Sequence, residues 1–293
     1  MEGSTQGATC LRDRVWLVLA YSAVFEFPLT TSEVGRRCWQ FAGESLPSQG
    51  QIETSLLRLL SIGVVNRSGK WWYLSSQPQA PNNRVKWEIN SKQKVEEAAP
   101  AISFLAKLPW VVGVAITGSV AVDSAKVNDD VDFLIVTEPN RLWLTRVLTL
   151  LFAIKHGKRR SFAREESNSW CFNLWLTTRA LAVPTDRHTL YTAYEVCQAN
   201  WVVNKHQIAQ QFLINNMWVE PILPRYYQNR QTINGNLKQN AELKKPLFLL
   251  EWFLTALNSL FFLLQYIYMM PHRTIERVHW DYAWFHPKKH TDN

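Results

Sequence analysis

Residues 111–136 read VVGVAITGSVAVDSAKVNDDVDFLIV, and their pattern predicts two strands joined by a turn. Its first seven residues are apolar and mostly β-branched, which predicts a buried strand over 111–117. Gly118 and Ser119 follow, and a glycine at this position predicts a sharp turn. A second apolar strand is predicted over 130–136.

Two carboxylates alternate at the start of the second predicted strand. Asp130 and Asp132 are separated by one residue, so their side chains are expected on the same face of the strand. A hard divalent cation such as Mg²⁺, or Mn²⁺, binds a few carboxylate oxygens together with phosphate oxygens of a substrate. We therefore predict that Asp130 and Asp132 are metal ligands, close enough to share one ion.

The turn between the strands is a predicted phosphate-binding element. Gly118 lets the backbone approach phosphates closely, and amides at the start of the helix after Ser119 are expected to point at them. Another interpretation stays open, in which the strand is simply capped and its aspartates face water. The carboxylates of Asp129, Asp130 and Asp132 repel one another unless a cation or basic groups offset their charge.

The order of these elements resembles the signature of the DNA polymerase β superfamily of nucleotidyltransferases. An apolar strand, Gly118-Ser119, about ten further residues and then Asp130-x-Asp132 in a second strand match it position by position. The resemblance covers residues 99–180. It implies an α/β (α+β) core with a mixed sheet flanked by helices, two divalent ions, and transfer of a nucleotidyl group from a triphosphate with release of pyrophosphate.

The family also implies a third carboxylate on a later strand, where it helps to bind the ion and accepts the proton of the attacking hydroxyl. The next predicted strand is 170–177, and Asn173 occupies the expected position. Asn can bind a metal through its oxygen but cannot act as a base, so slow or absent transfer is expected. Glu165 and Glu166 are alternatives if the strand begins earlier.

The N-terminal part of the chain predicts three helices followed by a hairpin. These elements are expected at 11–25, 31–41, 49–62 and 64–74. The pattern resembles winged helix-turn-helix domains, with 51–61 as the recognition helix and 66–70 as the tip of the wing. DNA binding stays open, because Arg58 is the one obvious phosphate ligand on that helix and DNA-reading faces normally carry more basic groups.

Three parts are predicted along the chain. A winged-helix-like domain is expected at 1–80, the nucleotidyltransferase core at 81–185, and a helical C-terminal region at 186–293. The C-terminal part resembles an uncharacterised group of bacterial nucleotidyltransferase-domain proteins that also carry a helical N-terminal module. That resemblance implies that Asn173 is native to the group.

Charge is distributed unevenly. The net charge is +8, yet residues 99–139 hold 2 basic and 5 acidic side chains whereas residues 140–293 hold 19 and 10. An acidic pocket between basic flanks suits a cation and phosphates, although solvated faces give similar counts. The basic residues after Pro139 either neutralise phosphates or lie in water; they are Arg141, Arg146, Lys155, Lys158, Arg159, Arg160 and Arg164.

The composition and the N-terminal sequence limit the classes of protein to consider. With 47% hydrophobic and 19% charged residues, wholesale disorder and a polytopic membrane protein are excluded. The four cysteines have no zinc-site spacing. Charged residues at Glu2 and Arg12 precede the first apolar run without a signal-peptide pattern, which predicts a cytoplasmic location.

The most apolar stretch is 247–270, which is long enough to cross a bilayer. Glu251, Asn258 and Gln265 fall within it, and a buried acid is costly in lipid. A buried or partner-contacting helix is therefore favoured, and membrane contact through 247–270 is the alternative.

These observations predict a metal-dependent nucleotidyltransferase that moves a nucleotidyl group from a nucleoside triphosphate to an acceptor the sequence does not name. The predicted catalytic residues are Asp130, Asp132 and Asn173, and Gly118 and Ser119 are the predicted nucleotide-binding residues. The expected cofactor is Mg²⁺ or Mn²⁺. The alternative is a catalytically weak nucleotidyltransferase fold that senses nucleotide and binds DNA or a protein.

Overall fold

The structure is a computed structural model, and it describes residues 10–40, 45–159, 168–238, 240, 248–270 and 276–285. The chain divides into two compact units. The first comprises residues 1–88 and 218–230, and the second comprises residues 89–217 and 231–293. The expected alternatives Glu165 and Glu166, and the basic residues Arg160 and Arg164, lie outside the described residues.

The first unit begins with three helices and a two-stranded hairpin. These are α1 (Leu11–Ala23), α2 (Thr31–Arg37), α3 (Gln49–Ser61), β1 (Val65–Ser68) and β2 (Trp71–Leu74). Thr30 and Ser48 start α2 and α3 with reciprocal capping boxes, which satisfy backbone amides that a helix start leaves unpaired. Leu29 forms an antiparallel bridge to the buried Trp72 of β2. The predicted order of helices and hairpin is confirmed.

The second unit contains a six-stranded mixed sheet. Its strands are β3 (Val111–Thr117), β4 (Val131–Thr137), β5 (Trp170–Thr177), β6 (Asn200–Asn204), β7 (Arg277–Val278) and β8 (Tyr282–Trp284). They lie in the order β6-β3-β4-β5-β8-β7. Neighbouring strands are antiparallel except β4 and β5, which are parallel. The predicted mixed α/β class with helices and a mixed sheet is therefore confirmed at this level.

The remaining helices complete the chain. They are α4 (Ala80–Ala106), α5 (Gly118–Ala121), α6 (Leu142–Lys155), α7 (Leu190–Gln198), α8 (Ile208–Asn215), α9 (Pro224–Gly235) and α10 (Phe248–Met269). Residues 75–79 connect β2 to α4, which begins at Ala80.

The core of the second unit forms around the three central strands. Every residue of β3 is buried, as its β-branched sequence predicts. Fully buried side chains from this core include Val114, Ile116, Phe133, Ile135, Trp143 and Trp175. Each large apolar side chain that leaves water stabilises the fold by about 1.5–3 kcal/mol. This core fixes the ends of β3, β4 and β5, where the predicted site residues lie.

The prediction of a helical C-terminal region after residue 186 is wrong in one respect. Helices α7 to α10 do lie there, but β6, β7 and β8 also join the sheet. These strands contain five, two and three residues. Runs this short show too little alternation to identify a strand, and pairing with β3 and β5 determines their conformation instead.

Helix α10 is the predicted 247–270 helix, and it is not buried. Among its described side chains Asn258 alone is buried, and the helix is long and apolar enough by length and composition to cross a membrane. It packs against α6 along one face. The expectation of a buried helix is therefore wrong, while contact with a partner or a membrane stays a prediction.

Candidate functional site

Gly118 forms the turn at the end of β3 and lies against the carboxylate of Asp132. Its φ is +63°, a conformation that L side chains rarely adopt. A Cβ atom on Gly118 would stand 2.6 Å from Oδ2 of Asp132, closer than real Cβ contacts come. Both the backbone conformation and the lack of a side chain are therefore needed for this approach.

Asp130 and Asp132 share one face at the start of β4. Val131 and Phe133 are buried at 4% and 0% exposure, whereas both aspartates are partly exposed. The alternation predicted from the sequence is therefore present. Asn173 of β5 donates from Nδ2 to Oδ1 of Asp132 at 2.5 Å. The structure thus brings Gly118, Asp132 and Asn173 together.

Asp130 is held by the start of β5. Its Oδ1 accepts from the backbone N–H of Ser169 at 2.8 Å, and its Oδ2 accepts from Sγ of Cys171 at 3.1 Å. Sequence reasoning missed Cys171. Cys171 pairs with Asp132 of the parallel β4, and this register between two strands is not given by the sequence of β5 alone.

An irregularity in β5 sets the position of Asn173. Asp132 pairs with Cys171, but Leu134 pairs with Leu174, so two residues of β5 stand opposite one of β4. Such a bulge re-aims side chains, and bulges are common beside active sites. Here the bulge contains Asn173, whose amide meets Asp132.

Ser119 and the loop before β4 are tied together by Asp129. The Ser119 hydroxyl donates to Oδ2 of Asp129 at 2.8 Å, and the same oxygen accepts from the backbone N–H of Lys126 at 2.9 Å. Helix α5 is a single turn of four residues. The amides that the sequence predicted to face phosphates therefore belong to a very short helix, whose dipole is weak.

Lys94 of α4 provides the basic group that offsets the acidic run. Its buried ammonium donates to the backbone oxygens of Val127 and Asp129 at 2.9 and 2.6 Å and to Oδ1 of Asn168 at 2.6 Å. Burial lowers the pKa of Lys94, although the neighbouring Asp129 and Asp130 oppose that shift. Sequence reasoning missed Lys94 because it lies far away along the chain.

Two arginines of the predicted basic flank lie elsewhere. Arg141 forms a hydrogen-bonded ion pair with Glu251 of α10, and Arg146 donates to Gln265 at 2.6 Å. Burial lowers the pKa of Arg146 to about 10, so it remains charged at neutral pH. The hypothesis that Arg141 and Arg146 neutralise phosphates is wrong, because both side chains hold α10 on α6.

The donor set fits one class of cation. Among the described residues there is no group of three or more His, Cys, Asp or Glu side chains that could enclose a metal ion. A structural Zn²⁺ site therefore does not fit. Mg²⁺ needs only one or two carboxylates, because waters and substrate phosphates supply its other ligands. Asp130 and Asp132 fit that requirement, and the Asn173 side chain carries an oxygen donor as well.

Comparisons of the chain with protein-family models, with curated proteins and with solved structures found no match. What distinguishes the chain is its own geometry. A glycine turn closes on one aspartate, a second aspartate shares the face, and an amide from the parallel neighbouring strand completes the cluster.

Proposed function

We propose that the second unit is a metal-dependent nucleotidyltransferase that acts on a nucleoside triphosphate. One observation carries the proposal: the backbone of Gly118 stands directly against the carboxylate of Asp132, which is itself bonded to Asn173. A phosphate chain held near a glycine turn needs a cation beside it, and a carboxylate at that place binds one. The resemblance to the polymerase β superfamily supports the same assignment.

The roles follow from the contacts. Asp130 and Asp132 would hold Mg²⁺ or Mn²⁺, which when bound neutralises phosphate charge and orients the reacting groups. The backbone at Gly118 approaches the phosphates, and Ser119 lines that approach. Asn173 orients the Asp132 carboxylate through the bond that it donates.

A second candidate function rests on the same amide. Where the resembled family has a third carboxylate, this chain has Asn173, which cannot accept a proton. A site of this kind binds metal and nucleotide but transfers slowly, as a nucleotide sensor would. The first unit would then pass on the nucleotide signal by contacting DNA or a protein. Its three helices, its hairpin and the Leu29–Trp72 bridge support a winged-helix fold.

Two basic side chains of the β1–β2 hairpin, the wing in a winged-helix fold, support the second candidate function. Arg67 lies over the Trp72 ring at 5.0 Å, and Lys70 lies over the Trp71 ring at 4.5 Å. These cations sit at the hairpin tip, where a wing would meet a phosphate backbone. Helix α3 adds Arg58 but also the exposed Glu53, so its surface is less basic than most DNA-reading helices.

Transfer is tested by incubation of the protein with each labelled nucleoside triphosphate and Mg²⁺ or Mn²⁺. Label is then sought on the protein, on RNA, on DNA and on small molecules. Label that appears only with a divalent cation supports the enzyme, and cation-dependent binding without label supports the sensor. If no triphosphate binds, both candidates are wrong.

The matched variants are Asp130→Asn with Asp132→Asn, and Asp13→Asn on the exposed surface of the first unit. We expect the double variant to lose cation-dependent binding and transfer, while its melting temperature changes little, because relief of carboxylate repulsion offsets the hydrogen bond that residue 130 loses to Ser169 or Cys171. Asp13→Asn should leave both unchanged. A large fall in melting temperature for the double variant would show instead that the pair is structural.

A further inference from the structure

The outward face of α10 is apolar and exposed. Its large side chains are between 50% and 68% exposed, and they are Trp252, Phe253, Leu260, Leu263, Leu264 and Ile267. The sequence from Trp252 to Met270 contains no charged residue. Soluble monomers rarely expose contiguous apolar patches larger than a few hundred Å², and a larger patch marks a site of interaction.

The inward face of α10 combines polar side chains that bond to neighbouring residues with Phe262 and Met269, which pack against the core. Asn258 is 1% exposed, and its Oδ1 accepts from the backbone N–H groups of Trp143 and Leu144 at 2.9 and 3.1 Å. At the two ends, Glu251 pairs with Arg141 and Gln265 accepts from Arg146. The helix cannot roll its apolar face inward without breaking these bonds.

The spacing of the outward residues indicates what covers them. Positions 253, 256, 260, 263 and 267 follow one another at intervals of three, four, three and four residues. This is the repeat that packs one helix against another, because it keeps one seam facing the partner over successive turns. The opposite positions, Asn258 and Gln265, are those bound to α6.

We propose that this outward face binds a second copy of the chain, so that two α10 helices pack across a two-fold axis. A stable interface buries about 800 Å² on each partner, and a bare helix of this length with these side chains supplies surface of that order. A self-complementary apolar seam needs no charge partner, in keeping with the uncharged face. The polar bonds to α6 keep that seam presented outward in the single chain.

A membrane surface is the competing occupant. Helices that lie in a membrane interface place basic residues on their polar face, toward lipid headgroups. The polar face of α10 instead carries Glu251, Asn258 and Gln265, which bond to α6. Because α6 covers that side, lipid cannot surround α10.

The test is the mass of the full chain in solution, measured by light scattering and by sedimentation at micromolar concentrations. We expect twice the mass of one chain for wild type. Leu260→Glu should weaken association by about 100-fold and give the single-chain mass, because it places a charge in the centre of the seam. Ile214→Glu is the control, since Ile214 is also an exposed apolar residue, at 48%, but lies on α8; it should remain a dimer.

Cross-linking gives a second measurement that does not depend on a charged variant. In a Cys10→Ser background, which removes the cysteine that is exposed among the four, Leu260→Cys should form a disulfide-linked dimer on oxidation. The proposal is overturned if wild type has the mass of one chain and Leu260→Cys does not cross-link. It is also overturned if a monomer floats with vesicles of phosphatidylcholine and phosphatidylglycerol and Leu260→Glu abolishes that binding.

Discussion

The aspartate site and helix α10 distribute polar and apolar groups in opposite ways. At the site, apolar Val131 and Phe133 are buried while the acids between and beside them reach solvent. On α10, the amide of Asn258 is buried while Trp252 and Phe253 are 68% and 61% exposed. The first is the usual alternation of a sheet, whereas α10 differs from the usual amphipathic helix because it carries large apolar side chains on its outward face as well.

The two regions therefore attract different kinds of ligand. Buried polar groups are costly unless they are bonded, and the buried Oδ1 of Asn258 accepts from two backbone N–H groups. Exposed carboxylates beside a glycine turn attract a cation and phosphates, whereas an exposed apolar helix face attracts another apolar surface. Substitutions at the aspartate site should therefore change activity, whereas substitutions on α10 should change stability or assembly.

The largest effect expected is that of Gly118→Ala. The new Cβ would stand 2.6 Å from Asp132 Oδ2, so the carboxylate must move out of its place. Misplaced catalytic groups are costly, and we expect cation-dependent transfer to fall by about 10³-fold, or nucleotide binding to be lost if the chain is a sensor. Transfer and binding assays with labelled triphosphate measure it.

Gly157→Ala is the matched control for Gly118→Ala. Gly157 has the same φ of +63° and nothing within 4 Å of an added Cβ. Gly157→Ala should therefore lower the free energy of unfolding by about 1–2 kcal/mol through backbone strain, and activity should not fall. Equal losses of activity in the two variants would show that the Gly118–Asp132 contact is not needed for activity.

The next largest effect belongs to the other region. Asn258→Ala leaves the backbone N–H groups of Trp143 and Leu144 buried without their acceptor, since Asn258 caps the start of α6. We expect a loss of about 2–4 kcal/mol in the free energy of unfolding, measured by urea denaturation, with nucleotide binding unchanged. Asn215→Ala should cost far less, because Asn215 is an exposed residue of α8. A loss of nucleotide binding in Asn258→Ala, at full stability, would mean that the two regions are not separate.

Much of the site could be predicted from the sequence because its signals are local. The strands at 111–117 and 170–177 appear at the predicted positions, and the alternation of Asp130 and Asp132 follows from strand geometry. Gly118 could be predicted as a turn for the same reason, although its contact with Asp132 could not.

What could not be predicted depends on contacts between distant residues. Lys94 meets Asp129 across 35 positions, and Asn258 meets Trp143 across 115. The bulge at Asn173 arises from the register between β4 and β5, which no single strand encodes. Composition identified 247–270 as apolar, but only packing shows which side of that helix faces the protein.

A smaller effect is expected from Glu195, a carboxylate whose environment contrasts with that of Asp132. Burial raises the pKa of Glu195 on α7 to about 7, from an ordinary value of 4.5. The folded state therefore holds a proton that the unfolded chain releases between these values. Stability should be full below pH 4.5 and fall as the pH rises to 7. Because the side chain keeps some solvent contact, we expect a fall of about 1–2 kcal/mol.

Glu195→Gln should remove that fall, so that its unfolding free energy exceeds that of wild type above about pH 7 and equals it near about pH 4. Denaturation at a series of pH values measures it. Glu138→Gln, which changes a partly exposed acid of the same unit, should leave the slope in place. An unchanged slope in Glu195→Gln would show that another group titrates there.

The smallest effect is expected from Asn173→Asp, and its sign separates the two candidate functions. If the site lacks only its base, a carboxylate here should raise the transfer rate. Full general-base assistance is worth about 10²–10⁴-fold. Asn173 already lies 2.5 Å from Asp132, so the new acid would share its charge with a neighbour, and we expect about a tenfold gain. Transfer rate and nucleotide affinity are measured together.

The cation determines whether that gain appears. In the absence of the cation, the carboxylate introduced by Asn173→Asp would face Asp132 as a like charge and lower the melting temperature. When Mg²⁺ is present, the two acids become ligands of one ion. Mg²⁺ should therefore raise the melting temperature of the variant more than that of wild type. Asn173→Ala is the control, because it removes the bond to Asp132 and adds no base. A faster variant supports a slow enzyme. Unchanged affinity with an unchanged or lower rate would refute the missing base, and would leave Asn173 as the residue that holds Asp132 in a site built to bind nucleotide.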